Sequence, residues 1–236
     1  MKTISIITVN RNHVDGLRRT IDSVLMQDCK DYEFIVIDGA STDGSAELQA
    51  EYPQIEQFIS EPDRGIYNAM NKGITLATGR YCLFLNSGDT LSNKNTLTEA
   101  LKALSESSES IDILSCRLLL SGNDSYFPRG KFDFLHFLPG CIPHQATLIR
   151  RELFQTFGNY REDYRLISDY IFFFKMLCLK KVRFWTADIP FCNYEMDGRS
   201  TNRGLMEEVI SRYLTEPEVP LCYRIVMSLR KLTHRR

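Results

Sequence analysis

The chain has 236 residues, of which 43% are hydrophobic and 25% are charged, and its 29 basic and 30 acidic side chains leave a formal net charge of -1. This composition is typical of one ordinary globular domain or of two fused halves, and it excludes a disordered acidic chain. A protein that coats nucleic acid would carry a strong basic excess, so we expect no nucleic-acid partner.

The charge is distributed unevenly along the chain. Residues 1–90 contain 8 basic and 13 acidic side chains, residues 91–219 contain 16 and 17, and residues 220–236 contain 5 and none. The overall balance is therefore a cancellation between an acidic N-terminal part and a basic C-terminal segment.

Hydropathy and cysteine usage predict a cytoplasmic protein. Apolar runs fall short of the roughly 18 to 20 residues that cross a bilayer, and the N-terminal run ends at Asn10, too early for the core of a signal peptide. The seven cysteines are scattered, odd in number and without a Cys-x-x-Cys pair, which favours reduced thiols.

Strands alternate with helices over residues 1–90. Strands are predicted from apolar and β-branched runs at Ile4–Val9, Phe34–Ile37, Phe58–Ile59 and Tyr81–Leu85. Helices are predicted after the first three of these strands, over the segment containing Leu17–Leu25, from Asp43 through Tyr52, and over Ile66–Ala77. Such alternation is typical of an α/β fold with a parallel sheet covered by helices on both faces.

In the second half, strands and helices alternate less regularly. Its predicted elements are a helix at Thr96–Leu104, a strand at Ile111–Leu120, helices at Arg150–Phe157 and Ser168–Leu179, and a strand at Val182–Trp185. An irregular region, residues 121–143, is expected to shape the site of a second substrate. We predict one domain over residues 1–203, with a nucleotide-binding half (1–90) and an acceptor half (91–203), followed by a helical basic tail (204–236).

Polar or acidic residues follow all four strands of the first half. They are Thr8 and Asn10, Asp38, Glu61–Asp63, and Asn86–Asp89. Ligands bind such sheets beyond the carboxyl ends of the strands, and carboxylates there suit a hard divalent cation that holds a diphosphate. The sequence has no glycine-rich phosphate loop, which leaves a nucleotide held through metal and side chains.

Six segments of the sequence resemble the motifs of a known protein family. They are Ile4–Asn12, Ile35–Ser45, Ser60–Ile74, Leu85–Asp89, His144–Phe154 and Ile167–Tyr170. In this order they resemble the successive motifs of family 2 inverting glycosyltransferases with the A-type (GT-A) fold. The resemblance implies a Rossmann-like, mostly parallel sheet flanked by helices. It also implies transfer of a sugar from a nucleotide-diphosphate sugar to a hydroxyl of a glycan or lipid-linked saccharide, as in bacterial surface-polysaccharide synthesis.

The resemblance assigns the donor to the polar strand ends. Asp38 would face the nucleoside base or ribose, with Thr8 and Asn10 nearby and Asp63 or Gly65 on the next loop. The alternative is that Asp38, like Asp43 after it, belongs to an Asx-turn or helix cap.

Two further residues of the predicted donor site also have alternatives without a function in binding. Lys72 lies one helical turn from Asn68 and could reach a phosphate, or it could be a solvated surface lysine. His144 would contact the diphosphate, the metal or the acceptor, whereas the alternative is a satisfied structural histidine.

Residues 86–89 lie where the family has its acidic metal-binding motif, usually Asp-x-Asp. Asn86 and Gly88 stand in place of carboxylates, so Asp89 is the predicted ligand of Mg²⁺ or Mn²⁺, with Asn86 and Ser87 beside the donor. The cation would then depend in part on the donor's diphosphate oxygens. The alternative is a turn that caps the next helix.

Asp169 is the predicted catalytic base, because the resemblance places the catalytic aspartate immediately before the apolar helix. A carboxylate within about 3 Å of the acceptor hydroxyl can withdraw its proton as the oxygen attacks. The alternative is that Ser168 or Asp169 only caps the helix.

The C-terminal segment from Pro220 is a predicted basic amphipathic helix. Leu221, Ile225, Leu229 and Leu232 recur at helical spacing, and Arg224, Arg230, Lys231 and Arg235 occupy the other side. Such a helix could bind an anionic membrane surface, which would place the protein on the inner face of the membrane. It could equally pack on its own domain with a solvated basic face.

Two other functions are compatible with the motifs. A sugar nucleotidyltransferase has a related architecture but needs a glycine-rich loop with a basic residue after the first strand, and residues 8–12 lack the glycines. A non-catalytic module that binds nucleotide sugars or glycans is conceivable because the metal motif has lost carboxylates.

Overall fold

A computed structural model describes residues 2–107, 110–120, 124–128, 142–180, 182–195 and 209–223. Elements of the first half are, in chain order, β1 (Ile4–Asn10), α1 (Val14–Leu25), β2 (Tyr32–Asp38), α2 (Leu48–Glu51), β3 (Gln57–Ser60), α3 (Ile66–Leu76) and β4 (Tyr81–Asn86). The predicted alternation of strands and helices in this half is therefore observed.

The second half begins with β5 (Thr90–Leu91), α4 (Thr96–Glu106), β6 (Ile113–Leu119) and β7 (Ser125–Tyr126). After the gap come a 3₁₀ turn (His144–Ala146), β8 (Thr147–Arg150), α5 (Glu152–Phe157), α6 (Ser168–Phe174), a π-helical continuation (Lys175–Lys180) and β9 (Phe184–Asn193). Much of the irregular region 121–143, expected to shape the second substrate's site, lies outside the described residues.

The described strands form one mixed sheet in the order β3-β2-β1-β4-β8-β6-β9-β5, with β7 paired to β6. The first four are mutually parallel, and β8 runs antiparallel to both β4 and β6. In the β1 register Asn10 lies opposite Asp38, and Val9 lies opposite Asn86. The carboxyl ends of β1, β2 and β4 therefore meet at one edge of the sheet.

Each face of the sheet is covered by its own apolar core. One core includes Ile7 and Val9 of β1 with α3 and α6, and the other includes Ile4 and Ile6 with α1 and α4. Because β1 alternates between two buried faces, all seven of its residues are buried. Helices thus hold the central strands from both sides, which fixes the edge where their polar ends lie.

Two predicted helices differ in the structure. The helix predicted from Asp43 is reduced to α2, because Gly44 has a left-handed φ of +94° and the Asp43 carboxylate accepts hydrogen bonds from Val14 N and Ser45 N. The helix predicted from Arg150 begins only at Glu152, because the preceding residues form β8 and fill the gap between β4 and β6.

The last described segment packs on the domain. Tyr213, Leu214 and Val219 are buried in the same core as α6, and Glu218 forms an ion pair with Lys175 at 3.2 Å. Residues 203 and 204, the predicted boundary of the tail, lie outside the described residues, as do residues 224–236 of the predicted basic helix. Membrane binding by that helix stays a prediction. Within the described part of the chain, no helix is both long and apolar enough to cross a membrane.

A buried glutamate ties β2 to the turn that precedes β4. The Glu33 carboxylate accepts hydrogen bonds from Ser5 Oγ at 2.5 Å, Thr78 N at 2.6 Å, Thr78 Oγ1 at 2.9 Å and Gly79 N at 3.0 Å. Burial raises the pKa of Glu33, but these hydrogen bonds outweigh it and hold the pKa below its ordinary value. Glu33 is thus a structural carboxylate that sets the start of β4.

We predict that Glu33→Gln lowers the free energy of unfolding at neutral pH by about 1–3 kcal/mol, because an amide NH₂ would face backbone N–H donors. The contribution of Glu33 is complete above the ordinary glutamate pKa and is lost as the pH falls through the lower folded-state pKa. The difference between variant and wild type should therefore shrink on acidification. Urea denaturation of both proteins at two pH values measures this difference. Glu51→Gln is the matched control, because Glu51 forms an exposed ion pair with Arg18.

Candidate active site

Asp38 ends β2 in a closed hydrogen-bond network. Its carboxylate accepts Asn10 Nδ2 at 2.7 Å, Ser60 Oγ at 2.6 Å, Ser41 Oγ at 2.5 Å and Ser41 N at 2.9 Å. Burial raises the pKa of Asp38, but the bonds from Ser41, Ser60 and Asn10 together lower it. Asn10 Oδ1 and Thr8 Oγ1, both buried, have no hydrogen-bond partner among the described residues. These two oxygens, rather than the Asp38 carboxylate, are the unsatisfied groups at this strand end.

The loop after β3 contacts the same edge. Asp63 Oδ1 accepts a hydrogen bond from Gly65 N at 2.8 Å, and Gly65 has a left-handed φ of +133°. A Cβ atom on Gly39 would lie 2.3 Å from Asp63 Oδ2, so the carboxylate packs directly on the backbone that follows Asp38. Asp38, Asp63 and Gly65 are thus brought together as the sequence predicts.

The contacts of Lys72 differ from both alternatives that the sequence suggested, a phosphate contact and a solvated surface lysine. Its Nζ lies 2.8 Å from Glu61 Oε1 and donates to the carbonyl oxygen of Pro62, also at 2.8 Å. The lysine therefore fastens the loop after β3 to α3. Its predicted contact with a phosphate stays a prediction and would require this ion pair to open.

The loop after β4 is held from several sides. Thr20 Oγ1 accepts Gly88 N at 2.9 Å and donates to the Asp89 carbonyl oxygen at 2.8 Å, while Ser87 N donates to Val9 O. The Asp89 side chain is enclosed: its residue is 2% exposed, and its oxygens accept the backbone N–H groups of Asn86 and Glu195. Burial raises the pKa of Asp89 to about 6. The Asp89 carboxylate thus has a structural role in the loop after β4, in addition to any ligand that it binds.

Glu195 fills the space above Gly88. Gly88 has a left-handed φ of +103°, and a Cβ atom there would lie 1.6 Å from Glu195 Oε2. The other carboxylate oxygen, Oε1, accepts a hydrogen bond from Arg19 at 2.5 Å. A carboxylate from the segment after β9 thus occupies the place of a side chain at position 88.

Asp169 joins three other groups in one hydrogen-bonded row. Its Oδ1 accepts Tyr67 Oη at 2.7 Å, and its Oδ2 lies 2.9 Å from His144 Nδ1. His144 Nε2 lies 3.4 Å from Asn86 Nδ2 at the end of β4. Burial raises the pKa of Asp169, but the hydrogen bonds from His144 and Tyr67 lower it below its ordinary value. An ionised, 7% exposed carboxylate therefore lies beside the loop after β4.

The helix-cap alternative is not observed for Ser168, whereas the Asp169 carboxylate accepts a hydrogen bond from the backbone N–H of Tyr170 in the first turn of α6. Ile167 precedes α6 and offers no side-chain cap, and Ser168 Oγ has no hydrogen-bond partner among the described residues. The structural alternative does hold for Asp43, which closes its own turn and binds the first N–H of α1.

The oxygen atoms around Asn86 fit a hard cation shared with a substrate. Asn86 Oδ1 is buried without a hydrogen-bond partner among the described residues, the Asp89 carboxylate belongs to the same loop, and the Glu195 carboxylate lies over Gly88. Mg²⁺ and Mn²⁺ take such oxygen ligands, often one or two carboxylates completed by phosphate oxygens. In the described part of the chain no group of three or more His, Cys, Asp or Glu side chains could hold a metal alone.

Sequence reasoning missed two side chains of this site. Tyr67 lies within one of the recognised segments, but nothing in its spacing indicates that its hydroxyl reaches Asp169. Glu195 gives no sequence signal, since its contact with Arg19 joins residues 176 positions apart. The glycine at position 88 was the one available hint, because its missing side chain leaves room for another group.

We predict that Gly88→Asp lowers the melting temperature and that adding Glu195→Ala recovers part of the loss. Left-handed φ values cost a non-glycine residue on the order of 1–3 kcal/mol, and the overlap with Glu195 adds to this. Thermal unfolding of single and double variants measures both effects. Gly44→Asp is the matched control, because its φ is also left-handed but a Cβ there meets nothing within 4 Å. Glu195→Ala should give that variant no recovery, and equal recovery in both would contradict the steric argument.

Similar known proteins include two mycobacterial glycosyltransferases and a staphylococcal protein of known structure. A PGL/p-HBAD biosynthesis glycosyltransferase of Mycobacterium bovis is 35% identical over 173 residues, covering 71% of this chain and 67% of that protein. An uncharacterized glycosyltransferase of Mycobacterium tuberculosis is 35% identical over 207 residues, covering 85% and 78%. TarS of Staphylococcus aureus, solved in complex with UDP, superimposes with a TM-score of 0.72 at 17% identity, over 95% of this chain and 68% of that one.

A second solved structure with the same fold is the mannosyltransferase PcManGT of Pyrobaculum calidifontis in complex with GDP-Man and Mn²⁺. It has a TM-score of 0.67 at 16% identity and covers 95% of this chain and 68% of its own. These likenesses confirm the predicted GT-A fold. The family model described as "Glycosyl transferase family 2" matches residues 3–184, and the chain therefore belongs to glycosyl transferase family 2.

Proposed function

We propose that this family 2 glycosyltransferase transfers a sugar, with inversion, from a nucleotide-diphosphate sugar to a hydroxyl of a glycan or lipid-linked saccharide. The observation that carries the proposal is the ionised, oriented carboxylate of Asp169 beside the loop after β4. Family membership supports sugar transfer, and relatives named for PGL/p-HBAD biosynthesis support a role in making cell-surface glycans.

Asp169 is the proposed base. As the acceptor oxygen bonds to the anomeric carbon, its proton becomes strongly acidic, so even a carboxylate with a lowered pKa can accept it. Tyr67 and His144 hold the two carboxylate oxygens and limit rotation of the side chain. The proton moves to Asp169, the new C–O bond forms, and the bond to the diphosphate breaks with its electron pair on the leaving group. Attack opposite the leaving group inverts the configuration.

The donor is proposed to lie along the joined ends of β1, β2 and β4. Thr8, Asn10, Asp38, Asp63 and Gly65 would bind the nucleoside part, because they form one continuous group and retain unsatisfied oxygens on Thr8 and Asn10. This assignment is supported by solved structures of the same fold in complex with UDP, UDP-GlcNAc and GDP-Man.

The diphosphate would lie over the loop after β4, near Asn86, Ser87 and His144. Mg²⁺ or Mn²⁺, when bound by Asp89 and Asn86 oxygens, would neutralise charge on the leaving diphosphate. The mannosyltransferase of the same fold is recorded with Mn²⁺, which supports this choice of cation. The backbone N–H groups of the loop are already bonded to Thr20 and Val9, so they hold its shape when the donor binds.

We predict that Asp169→Asn abolishes sugar transfer while nucleotide affinity changes less than about twofold, because the variant keeps the shape and loses the proton acceptor. Transfer assays with a panel of nucleotide sugars measure turnover, and calorimetry with UDP and GDP measures binding. Asp188→Asn is the matched control, since Asp188 is an exposed partner of Arg117 on β9. Retained turnover in Asp169→Asn would remove the residue from this role.

We also predict that removal of divalent cations weakens donor binding at least tenfold, since the diphosphate would meet Asp89 and Glu195 without a counter-charge. Calorimetry of the nucleotide with Mn²⁺, with Mg²⁺ and after chelation tests this. The same nucleotide affinity with and without cations would contradict the assigned role of Asp89.

A further inference from the structure

The row of hydrogen bonds through His144 joins four separate elements. Tyr67 lies on α3, Asp169 on α6, His144 in the 3₁₀ turn and Asn86 at the end of β4. His144 is therefore the one member of the row that contacts both the proposed base and the strand end beside the proposed diphosphate site.

Chemistry fixes the direction of these hydrogen bonds. The pKa of Asp169 lies below its ordinary value, so its Oδ2 is an acceptor and His144 Nδ1 must be the donor. In a neutral imidazole Nε2 is then an acceptor, which the amide nitrogen of Asn86 can satisfy at 3.4 Å. The Asn86 amide is thereby oriented with Oδ1 turned away from His144. That oxygen is buried and has no partner among the described residues.

We propose that His144 is a positioning residue with two separable tasks, rather than a direct ligand of the diphosphate. Through Nδ1 it aims the Asp169 carboxylate at the acceptor, and through Nε2 it keeps Asn86 Oδ1 facing the donor. Tyr67 shares only the first task. The proposal rests on the proposed function, in which Asp169 is the base and Asn86 lies beside the donor.

Two substitutions of one histidine separate the two tasks. An asparagine amide nitrogen occupies the place of His Nδ1, so His144→Asn keeps the donor to Asp169 and loses the acceptor for Asn86. A glutamine amide oxygen reaches the place of Nε2, so His144→Gln keeps the acceptor and loses the donor. Tyr67→Phe removes the second donor to Asp169 and leaves both nitrogens of His144 in place.

The expected result is a split between turnover and donor binding. His144→Gln and Tyr67→Phe should each lower kcat by about tenfold to a hundredfold with little change in nucleotide Kd, because a hydrogen bond to a charged group is lost. His144→Asn should instead raise Kd by about tenfold and lower kcat less. Loss of a donor to the ionised form raises the pKa of Asp169, so the acid limb of the kcat/KM profile should move to higher pH in Tyr67→Phe and His144→Gln.

The experiment combines calorimetry with UDP and GDP, steady-state transfer assays and pH profiles, with melting temperatures to check folding. Tyr52→Phe is the matched control, because its hydroxyl binds Asp22 on the surface of α1. Equal losses of kcat and affinity in both histidine variants, or a Tyr67→Phe profile like that of wild type, would overturn the proposal. Failure of the proposed function is a separate result: wild type would then transfer no sugar, while calorimetry of His144→Asn and His144→Gln would still measure the Asn86 task.

Discussion

The site depends on one constraint, the common register of β1 with β2 and β4. Because Asn10 lies opposite Asp38 and Val9 lies opposite Asn86, three strands deliver their polar ends to the same edge. A slip of one residue would move each side chain of β1 from one core to the other, where it would not fit its neighbours, and would separate these ends. The apolar cores on each face therefore stabilise the fold and the position of the site together.

Two buried carboxylates at this edge show how nearby hydrogen-bond donors change the pKa of an aspartate. Asp169 and Asp89 are both almost fully enclosed, but the side chains of Tyr67 and His144 donate hydrogen bonds to Asp169. The pKa of Asp169 is lowered, whereas Asp89 accepts hydrogen bonds from two backbone N–H groups among the described residues, those of Asn86 and Glu195, and burial raises its pKa to about 6. The difference suits a proton acceptor at position 169 and a loop-forming group at position 89.

Much of this arrangement could be predicted from the sequence because its signals are local. Polar residues that follow apolar strands predicted that the strand ends meet at one edge of the sheet, and the segments around His144 and Asp169 were recognised by resemblance. Long-range contacts could not be read in this way. The insertion of β8 between β4 and β6, the contact of Tyr67 with Asp169 and the seating of Glu195 over Gly88 depend on how distant segments meet in the fold. The helix predicted from Asp43 does not form there, because Gly44 has a left-handed φ and the Asp43 carboxylate accepts two hydrogen bonds that stabilise a turn.

The antiparallel pairing of β8 with β4 has a consequence for dividing the chain. Without β8, strand β4 would become an edge strand whose backbone N–H and C=O groups face water along one side. Its six residues are almost all buried and apolar, a combination that favours intermolecular pairing and aggregation. Residues 1–90 are therefore not an independent unit that could be isolated, because β8 from the second half of the chain continues the sheet beside β4.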